Sequence, residues 1–503
     1  MKKLVSLLLA LVLCLAVFAC AEELEPISFT ATSIASLKGQ TQGYKEHEIY
    51  KYVAEKFNVD IELWESGWGV FVDKESNWLT TGTMPDTMLW ASFSFPSYFD
   101  AIDQGLIKAL PEDWETRWPN LARLVEVSGI SDLLNVDGKV YAIPHPTYGN
   151  FFQVNPKVQH NAIYFRKDFA AQVGMEDLGK DYTITLSEYK EYLEKVNEAG
   201  LTPMKGFGAD PNAVRMQFAQ VFGTASYYDF FEGENGFEWS PKLEGTKDFI
   251  KAMQEWYQNE LINVDYYNKI DQDYIEAFQA GQIASIASGA AVQNIKKVRD
   301  GFKDANPEMD PYEVVGIAIL TDDEGNFSSY EELNYWTTAC FHPDLDEKKM
   351  ERILDVMNYI ASTEGYVTTL CGVPGVQWEM VDGQPTLIEG APEFTADSTF
   401  IGFGYCDDDF SLAGVRADID ARDLNECKLL QEMKEASNVY RYSTNYDRFN
   451  GESKTNYSVD IVNKITEIVC DGTDVDTAWD AFIAENEAMW QPLLDDLNNE
   501  FYK

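Results

Sequence analysis

The chain has 503 residues, 45% of them hydrophobic and 14% aromatic, so it can bury several cores and is not intrinsically disordered. Its 84 acidic and 39 basic residues give a net charge of −45, which disfavours nucleic-acid binding and electrostatic docking on anionic membranes. Four histidines in the whole chain make His-rich metal sites and Ser-His-Asp triads poor hypotheses. The composition suits a protein whose ligand is neutral or cationic.

Residues 1–21 have the pattern of a secretory signal peptide. Two lysines precede an apolar run over 4–18, and small residues then lead into an acidic stretch. The run is shorter than the roughly 18 residues that a membrane-spanning helix needs. Ala19-Cys20-Ala21 fits a signal peptidase site, and the residues around Cys20 also resemble a lipoprotein signal in which Cys20 would be lipidated. We therefore predict export and leave the two modes of processing open.

The first half of the chain alternates strand and helix patterns. Strands are predicted over 25–32, 59–64 and 87–90, and a helix over 47–57 carries apolar residues at helical spacing. This rhythm predicts a parallel sheet covered by helices. The overall expectation is an α/β fold.

The pattern continues beyond residue 160. A further apolar strand is predicted over 161–166. Thr185 and Glu188 have the spacing of a capping box, and the helix that they open should end at Gly200. Apolar residues at helical spacing predict two further helices, over 246–257 and 344–362.

Five cysteines follow the signal segment. Their number is odd and no C-x-x-C pair is present, so neither a zinc knuckle nor a thioredoxin-like site is indicated. A disulfide would be compatible with export, but spacing cannot pair the cysteines. We predict buried thiols at Cys340, Cys371, Cys406, Cys427 and Cys470.

Nine short motifs follow one another over nearly the whole chain: MPDTMLWAS (84–92), LIKALPEDW (106–114), DGKVYAIP (137–144), AIYFRKDF (162–169), TITLSEYKEYLEKVNEAGLTP (183–203), QNELINVD (258–265), AFQAGQIASIASG (277–289), CGVPGVQWEMVDGQP (371–385) and AWDAFIAENEAMWQPLLDDLNNEF (478–501). Each is weak alone. In this order they resemble the extracellular solute-binding proteins, family 1, of bacterial ABC importers, in the long Firmicutes-type branch.

The resemblance implies an α/β, periplasmic-binding-protein-like (type II) fold with two lobes. Each lobe would be a mainly parallel sheet flanked by helices, and hinge strands would join the two lobes. Because the chain would cross between the lobes, each lobe would be discontinuous. The expected bounds are 27–160 plus 325–372 for lobe 1 and 163–320 plus 373–503 for lobe 2.

Ligands of such folds bind at the carboxyl ends of the parallel strands, where loops of both lobes face each other. An aromatic ring can stack on the apolar face of a sugar, and carboxylates and amides can hydrogen-bond to its hydroxyls. Core packing is the alternative for each tryptophan. The positions that these criteria select are Ser33, Trp90, Ser92, His145, Tyr148, Asp210, Asn212, Trp336, Trp378, Tyr405 and Asp407.

Arg166 is a further candidate, since a guanidinium can hold a carboxylate with two hydrogen bonds. Its alternative is a structural ion pair with one of the 84 acidic residues. No nucleotide-binding, hydrolase or metalloprotease motif is present in the sequence, so no metal and no cofactor is expected.

Together these features predict a binding protein and not an enzyme. It would capture a carbohydrate, an oligosaccharide, by closure of two lobes and deliver it to the permease of an ABC importer. It would act as a monomer, either lipid-anchored on the outer face of the cytoplasmic membrane or secreted. One alternative is a peptide- or cation-binding protein of the same fold. The other is a secreted glycoside hydrolase, which needs two carboxylates about 5–10 Å apart.

Overall fold

The computed structural model describes residues 24–67, 69–146, 158–159, 161–224, 229–331, 334–394, 399–400, 403, 420–441 and 443–502. The predicted signal segment with Cys20 lies outside the described residues. So do Tyr148, Tyr405, Cys406 and Asp407.

Strands pair into two five-stranded sheets and several two-stranded ribbons within the described part of the chain. The predicted strands 87–90 and 161–166 are confirmed at their exact bounds, and those over 25–32 and 59–64 are confirmed with shorter bounds. The strands are β1 (Ile27–Ala31), β2 (Val59–Leu63), β3 (Thr87–Trp90), β4 (Asn135–Val136), β5 (Lys139–Val140), β6 (Ala142–His145), β7 (Asn161–Arg166), β8 (Thr183–Thr185), β9 (Phe207–Gly208), β10 (Phe230–Gly233), β11 (Gly236–Trp239), β12 (Ser285–Gly289), β13 (Val315–Thr321), β14 (Ser328–Tyr330), β15 (Thr337–Phe341), β16 (Trp378–Val381), β17 (Gln384–Leu387) and β18 (Asn438–Tyr440).

Helices cover the sheets and form much of the carboxyl-terminal part. The predicted capping box is confirmed, because the Thr185 hydroxyl accepts a hydrogen bond from the Glu188 amide and the Glu188 carboxylate accepts one from the Thr185 amide. That helix ends at Gly200, whose φ of 61° is the left-handed conformation that glycine tolerates best. The α-helices are Ile34–Leu37, Glu48–Phe57, Phe71–Thr81, Phe95–Asp103, Trp114–Arg117, Pro119–Val127, Ser131–Leu134, Lys167–Gln172, Leu186–Ala199, Pro211–Val221, Glu244–Gln258, Asp271–Gln279, Val292–Ala305, Pro311–Val314, Glu347–Ile360, Thr363–Cys371, Ala421–Glu435, Thr444–Arg448, Glu452–Asn456, Ile461–Asp471, Val475–Glu485 and Glu487–Phe501.

The two large sheets share one design. The first has the strand order β2-β1-β3-β15-β6, and the second has the order β8-β13-β7-β12-β9. In each sheet four strands run in one direction and one strand opposes them: β15 in the first sheet and β7 in the second. Both sheets are therefore mainly parallel, as predicted.

The opposed strands mark where the chain passes from one sheet to the other. β7 is the first strand of the second sheet, and β15 returns to the first sheet after β13. Val158 and Glu331, one on each passage, form an antiparallel bridge, and the Gln159 amide donates to the Tyr330 carbonyl at 2.9 Å. The two passages are thus joined side by side between the sheets.

Separate hydrophobic cores lie under the two sheets. The first core draws on residues 29–143 and 339–403. The clusters around the second sheet draw on 162–320 and 424–482. The first core includes Trp378, Phe400 and Phe403, although the sequence-based boundary at residue 372 would assign these three aromatic residues to the other lobe.

Three of the cysteines, Cys340, Cys371 and Cys427, are buried as predicted. Cys470 is partly buried. None of the described helices combines the length and the apolar composition needed to cross a membrane.

Candidate functional site

Several side chains gather where the strands of the first sheet end. Parallel strands bring their carboxyl ends to one edge of a sheet, and the opposed strand β15 brings its amino end to the same edge. We call this edge the first rim and define it by Ser33, Trp64, Ser92, His145 and Trp336, which follow β1, β2 and β3, end β6 and precede β15.

An aromatic platform lies at the first rim. The Trp336 side chain is 37% exposed, and its ring centroid lies 5.4 Å from that of His145 at an angle of 50°. His145 is buried, and its Nδ1 lies 3.3 Å from the Thr337 hydroxyl. Burial lowers the pKa of His145 to about 3, so the imidazole is neutral at physiological pH. The structure therefore places two predicted residues together, one as an accessible ring and one as its buried support.

Ser92 is fixed by a carboxylate that sequence reasoning missed. Its amide and hydroxyl both donate to Glu75 Oε2, at 2.8 and 2.7 Å, and the Ala91 amide donates to Oε1 at 3.2 Å. Glu75 is only 1% exposed, and burial raises its pKa against the lowering effect of these hydrogen bonds. A glutamate within a polar helix pattern gives no sequence signal of burial. Glu75 positions the turn that follows β3.

Trp64 also lies at the first rim, although its strand pattern favours a core position. It is half-buried, and its ring meets that of Trp78 edge-to-face at 5.9 Å. Its amide donates to the Ala31 carbonyl at 2.8 Å, which extends the pairing of β1 and β2 by one residue. Its position at the end of β2 was the sequence signal that could have identified Trp64 as a residue of the first rim.

Three predicted positions of the first lobe are buried and offer no platform. Trp90 is 1% exposed and packs edge-to-face against Phe93. Trp378 is 1% exposed, and its indole N–H donates to the Gly372 carbonyl at 2.7 Å. Ser33 is fully buried, and its amide donates to the Ser36 hydroxyl at 3.1 Å. Trp90 does end a predicted strand, but packing turns both indoles into the core.

Polar groups dominate the corresponding edge of the second sheet. Asp210 follows β9 and caps the helix Pro211–Val221, because its Oδ1 accepts the amides of Asn212 and Ala213 at 2.9 and 3.0 Å. Asn212 is exposed, and its Oδ1 accepts a hydrogen bond from Arg215 at 2.7 Å. Both predicted residues thus lie at the start of one helix.

A second carboxylate faces this position. Asp271 begins the helix Asp271–Gln279 and interacts electrostatically with Asp210. Burial raises the pKa of Asp271, the nearby hydroxyl of Ser288 close to the end of β12 lowers it, and the negative charge of Asp210 raises it. We call Asp210, Asn212, Asp271 and Ser288 the second rim.

Arg166 belongs to neither rim, and its ligand role stays a prediction. Because β7 opposes its neighbours, Arg166 at its carboxyl end lies opposite Val315 at the beginning of β13. Its guanidinium donates two hydrogen bonds of 2.7 Å to Asp168 and stacks on Phe169 at 4.1 Å. The structural ion pair, the alternative interpretation, is present in the structure.

The remaining predicted site residues, Tyr148, Tyr405 and Asp407, lie outside the described residues. Within the described part of the chain, no group of three or more His, Cys, Asp or Glu side chains could hold a metal ion.

Comparisons with known proteins bear on the fold. No protein-family model matches the chain, and no curated protein matches it at the sequence level. Solved structures do match. An alginate-binding protein, AlgQ2, has a TM-score of 0.70 at 13% identity over 94% of this chain and 97% of its own. The substrate-binding protein FusA of a Streptococcus pneumoniae ABC transporter, in complex with kestose, has a TM-score of 0.66 at 14% identity over 95% and 99%.

A third match is an HMO-binding solute-binding protein associated with an ABC transporter, from Bifidobacterium longum infantis. It has a TM-score of 0.62 at 15% identity and covers 94% of this chain and 96% of its own. These similarities extend over both sheets and nearly the full length of each chain. The chain therefore has the two-lobed α/β fold of the extracellular solute-binding proteins.

Proposed function

We propose that the chain is an extracellular solute-binding protein of an ABC importer that captures an oligosaccharide. The ligand would bind between the first and the second rim and be enclosed when the lobes close, and the closed complex would deliver it to the permease. Because the ligand would contact both lobes only in the closed form, its binding energy would favour closure, and no covalent step is needed.

The observation that carries the proposal is the accessible Trp336 ring, supported by buried His145 at the strand ends of this fold. A ring held in this way stacks on the apolar face of a sugar, and the carboxylates and amide of the second rim suit its hydroxyls. The matched structures named for alginate, kestose and HMO binding support a carbohydrate as the ligand class.

The test is thermal unfolding of the exported chain in the presence of single ligands. The panel contains fructo-oligosaccharides, N-glycan fragments, alginate oligosaccharides, short peptides and polyamines. A ligand at a hundred times its dissociation constant should add about 2.7 kcal/mol, a shift of a few degrees for a chain of this size. A shift with one glycan class supports the proposal, whereas a shift with peptides or polyamines alone contradicts the carbohydrate.

A matched pair of variants assigns the shift to the site. Trp336→Ala should reduce it to about a third, because the platform is removed and the affinity falls. Met489→Ala, which truncates a side chain of similar exposure on the carboxyl-terminal helix Glu487–Phe501, should retain it. A release of reducing sugar from any glycan in the panel would favour the glycoside hydrolase instead.

We further propose that the protein is exported and acts as a monomer, either held at the membrane through a lipid on Cys20 or secreted. The hydrophobic cores support lobe bounds near 27–145 plus 337–403 for lobe 1 and 161–331 plus 420–502 for lobe 2. Mass spectrometry of the mature amino terminus tests the anchor. A diacylglyceryl-modified Cys20 supports it, and an unmodified terminus contradicts it.

A further inference from the structure

The short helix Thr444–Arg448 lies between the two lobes. On one side, Tyr446 and Phe449 pack on an aromatic cluster of the second lobe, where the Tyr446 ring stacks with Phe230 at 5.8 Å. On the other side, the helix contacts Phe95–Asp103 and Ser131–Leu134, two helices of the first lobe. This helix is therefore a direct contact between the lobes, in addition to the chain passages.

An ion pair spans the same contact. Arg448 Nη2 lies 3.3 Å from Asp132 Oδ2, and both side chains are largely exposed to water. Such a pair contributes little to stability but orients the two surfaces. It also neutralises Asp132, the acidic side chain that the helix Ser131–Leu134 brings to the contact.

Asp447 is partly buried and places one carboxylate oxygen out of reach of water at this contact. Its Oδ2 is inaccessible to water and has no hydrogen-bond partner among the described residues. A carboxylate oxygen that is buried without a hydrogen-bond partner is costly to ionise, so the neutral form is favoured there. Burial accordingly raises the pKa of Asp447 to about 7.

The charged and titratable groups around Asp447 come from both lobes. In the second lobe, Lys454 attracts it and has its own pKa lowered by burial to about 8. The Lys454 ammonium donates to the Tyr446 carbonyl at 2.5 Å and lies 4.4 Å from the Tyr446 ring. In the first lobe, Tyr335 interacts electrostatically with Asp447, and the helix Phe95–Asp103 carries Asp100 and Asp103.

We propose that the Thr444–Arg448 helix is a closure contact and that the protein takes up a proton at Asp447 when its lobes close. This inference rests on the proposed two-lobe binding function and adds a regulation to it. The closed form, in which the carboxyl is shielded by the first lobe, binds the proton more tightly than the open form, in which water reaches the carboxyl. Acidification therefore favours closure and tightens binding.

The size of the effect follows from linkage. If opening returns the pKa of Asp447 to its ordinary range, the ratio of closed to open molecules rises about tenfold between pH 8 and pH 6. Above pH 8 the carboxyl is ionised in both forms, so the contribution of Asp447 to the pH dependence disappears there.

Small-angle X-ray scattering of the exported chain without ligand tests the inference. The radius of gyration should fall between pH 8 and pH 6 as the closed population grows. Asp447→Asn, which keeps the shape and removes the titration, should remain compact at both pH values. Asp100→Asn, a matched loss of one acid on a facing helix, should behave like the unaltered chain.

Asp132→Asn separates the ion pair from the proton. It should shift the whole curve towards the open form and leave the pH dependence intact. A radius that is independent of pH in the unaltered chain, or a pH dependence that survives in Asp447→Asn, overturns the inference. Because no sugar is present, these outcomes are distinct from those of the ligand panel. A failure to bind glycans would contradict the carbohydrate and not the proton linkage.

Discussion

The two rims differ in chemistry although the sheets that carry them share one design. The first rim presents the Trp336 ring over a neutral imidazole, with the half-buried Trp64 on the same edge. The second rim presents Asp210, Asn212 and Asp271. One lobe thus supplies a surface for stacking, and the other supplies hydrogen-bond acceptors and negative charge.

The rims also differ in how they are held. The groups of the first rim rest on buried contacts, such as that of Ser92 with Glu75. Asp210 and Asp271 instead stand at the beginnings of helices, where the helix dipole favours negative charge. If the ligand binds between the rims as proposed, it would satisfy both kinds of contact only in a closed form, and affinity and closure should then be coupled.

The largest expected effect comes from removing the support of the first rim. Glu75→Ala leaves the amides of Ala91 and Ser92 without their acceptor and opens a cavity, so it should cost about 3 kcal/mol of unfolding free energy. Denaturant unfolding measures the loss. Glu75→Gln keeps one acceptor oxygen and should cost clearly less. Equal losses for the two variants would show that side-chain volume matters and the carboxylate does not.

Removing the platform itself should affect binding and spare stability. Trp336→Ala should weaken the affinity for the stabilising glycan by about 2 kcal/mol, or roughly thirtyfold, because an exposed aromatic anchor is lost. Calorimetric titration measures the change. Trp336→Phe, which retains a ring, should recover most of the affinity. Unchanged binding of the alanine variant would move the ligand away from the first rim.

His145 should make the fold sensitive to acid. Its folded-state pKa of about 3 lies below the ordinary value of 6.5, so the unfolded chain binds the proton more tightly. Stability is therefore lost as pH falls below 6.5, by about 1.4 kcal/mol per pH unit until the folded-state pKa is approached. His145→Gln should remove this component from stability curves measured between pH 7 and pH 4.5. If the unfolding free energies of the unaltered chain and of His145→Gln change with pH in the same way, His145 is not a buried neutral imidazole.

The fold could be predicted from the sequence because its signals are local. The strands β3 and β7 are short apolar runs, and the capping box of Thr185 and Glu188 needs only residues three apart. The direction of β15, in contrast, depends on the return of the chain from the second sheet. The family resemblance supplied the expectation that the chain crosses between the lobes, and nothing in the sequence supplied the direction of this strand.

The site could be predicted only in part, because exposure is a property of packing. Trp336 and Trp378 both lie outside regular helix patterns, yet the Trp336 ring is exposed and the Trp378 ring is buried in the first core. Arg166 forms an ion pair with Asp168, only two residues away in the sequence. A search of the sequence for ligand-binding cations does not reveal such a local pair. Glu75 was missed because only its hydrogen-bond donors reveal that it is buried. Those donors, the amides of Ala91 and Ser92, lie after β3 and not in the helix that carries Glu75.

The smallest expected effect separates the two roles of the second rim. Asp210→Ala removes the helix cap as well as the charge and should cost about 1 kcal/mol of stability, whereas Asp210→Asn keeps a capping oxygen and should cost a few tenths. Asparagine also still accepts hydrogen bonds from sugar hydroxyls, so affinity for a neutral glycan should change little. A cationic ligand would lose an ionic contact. A strong loss of affinity in Asp210→Asn would therefore indicate that the second rim selects for positive charge, and the contrast between the rims would be one of charge as well as of stacking.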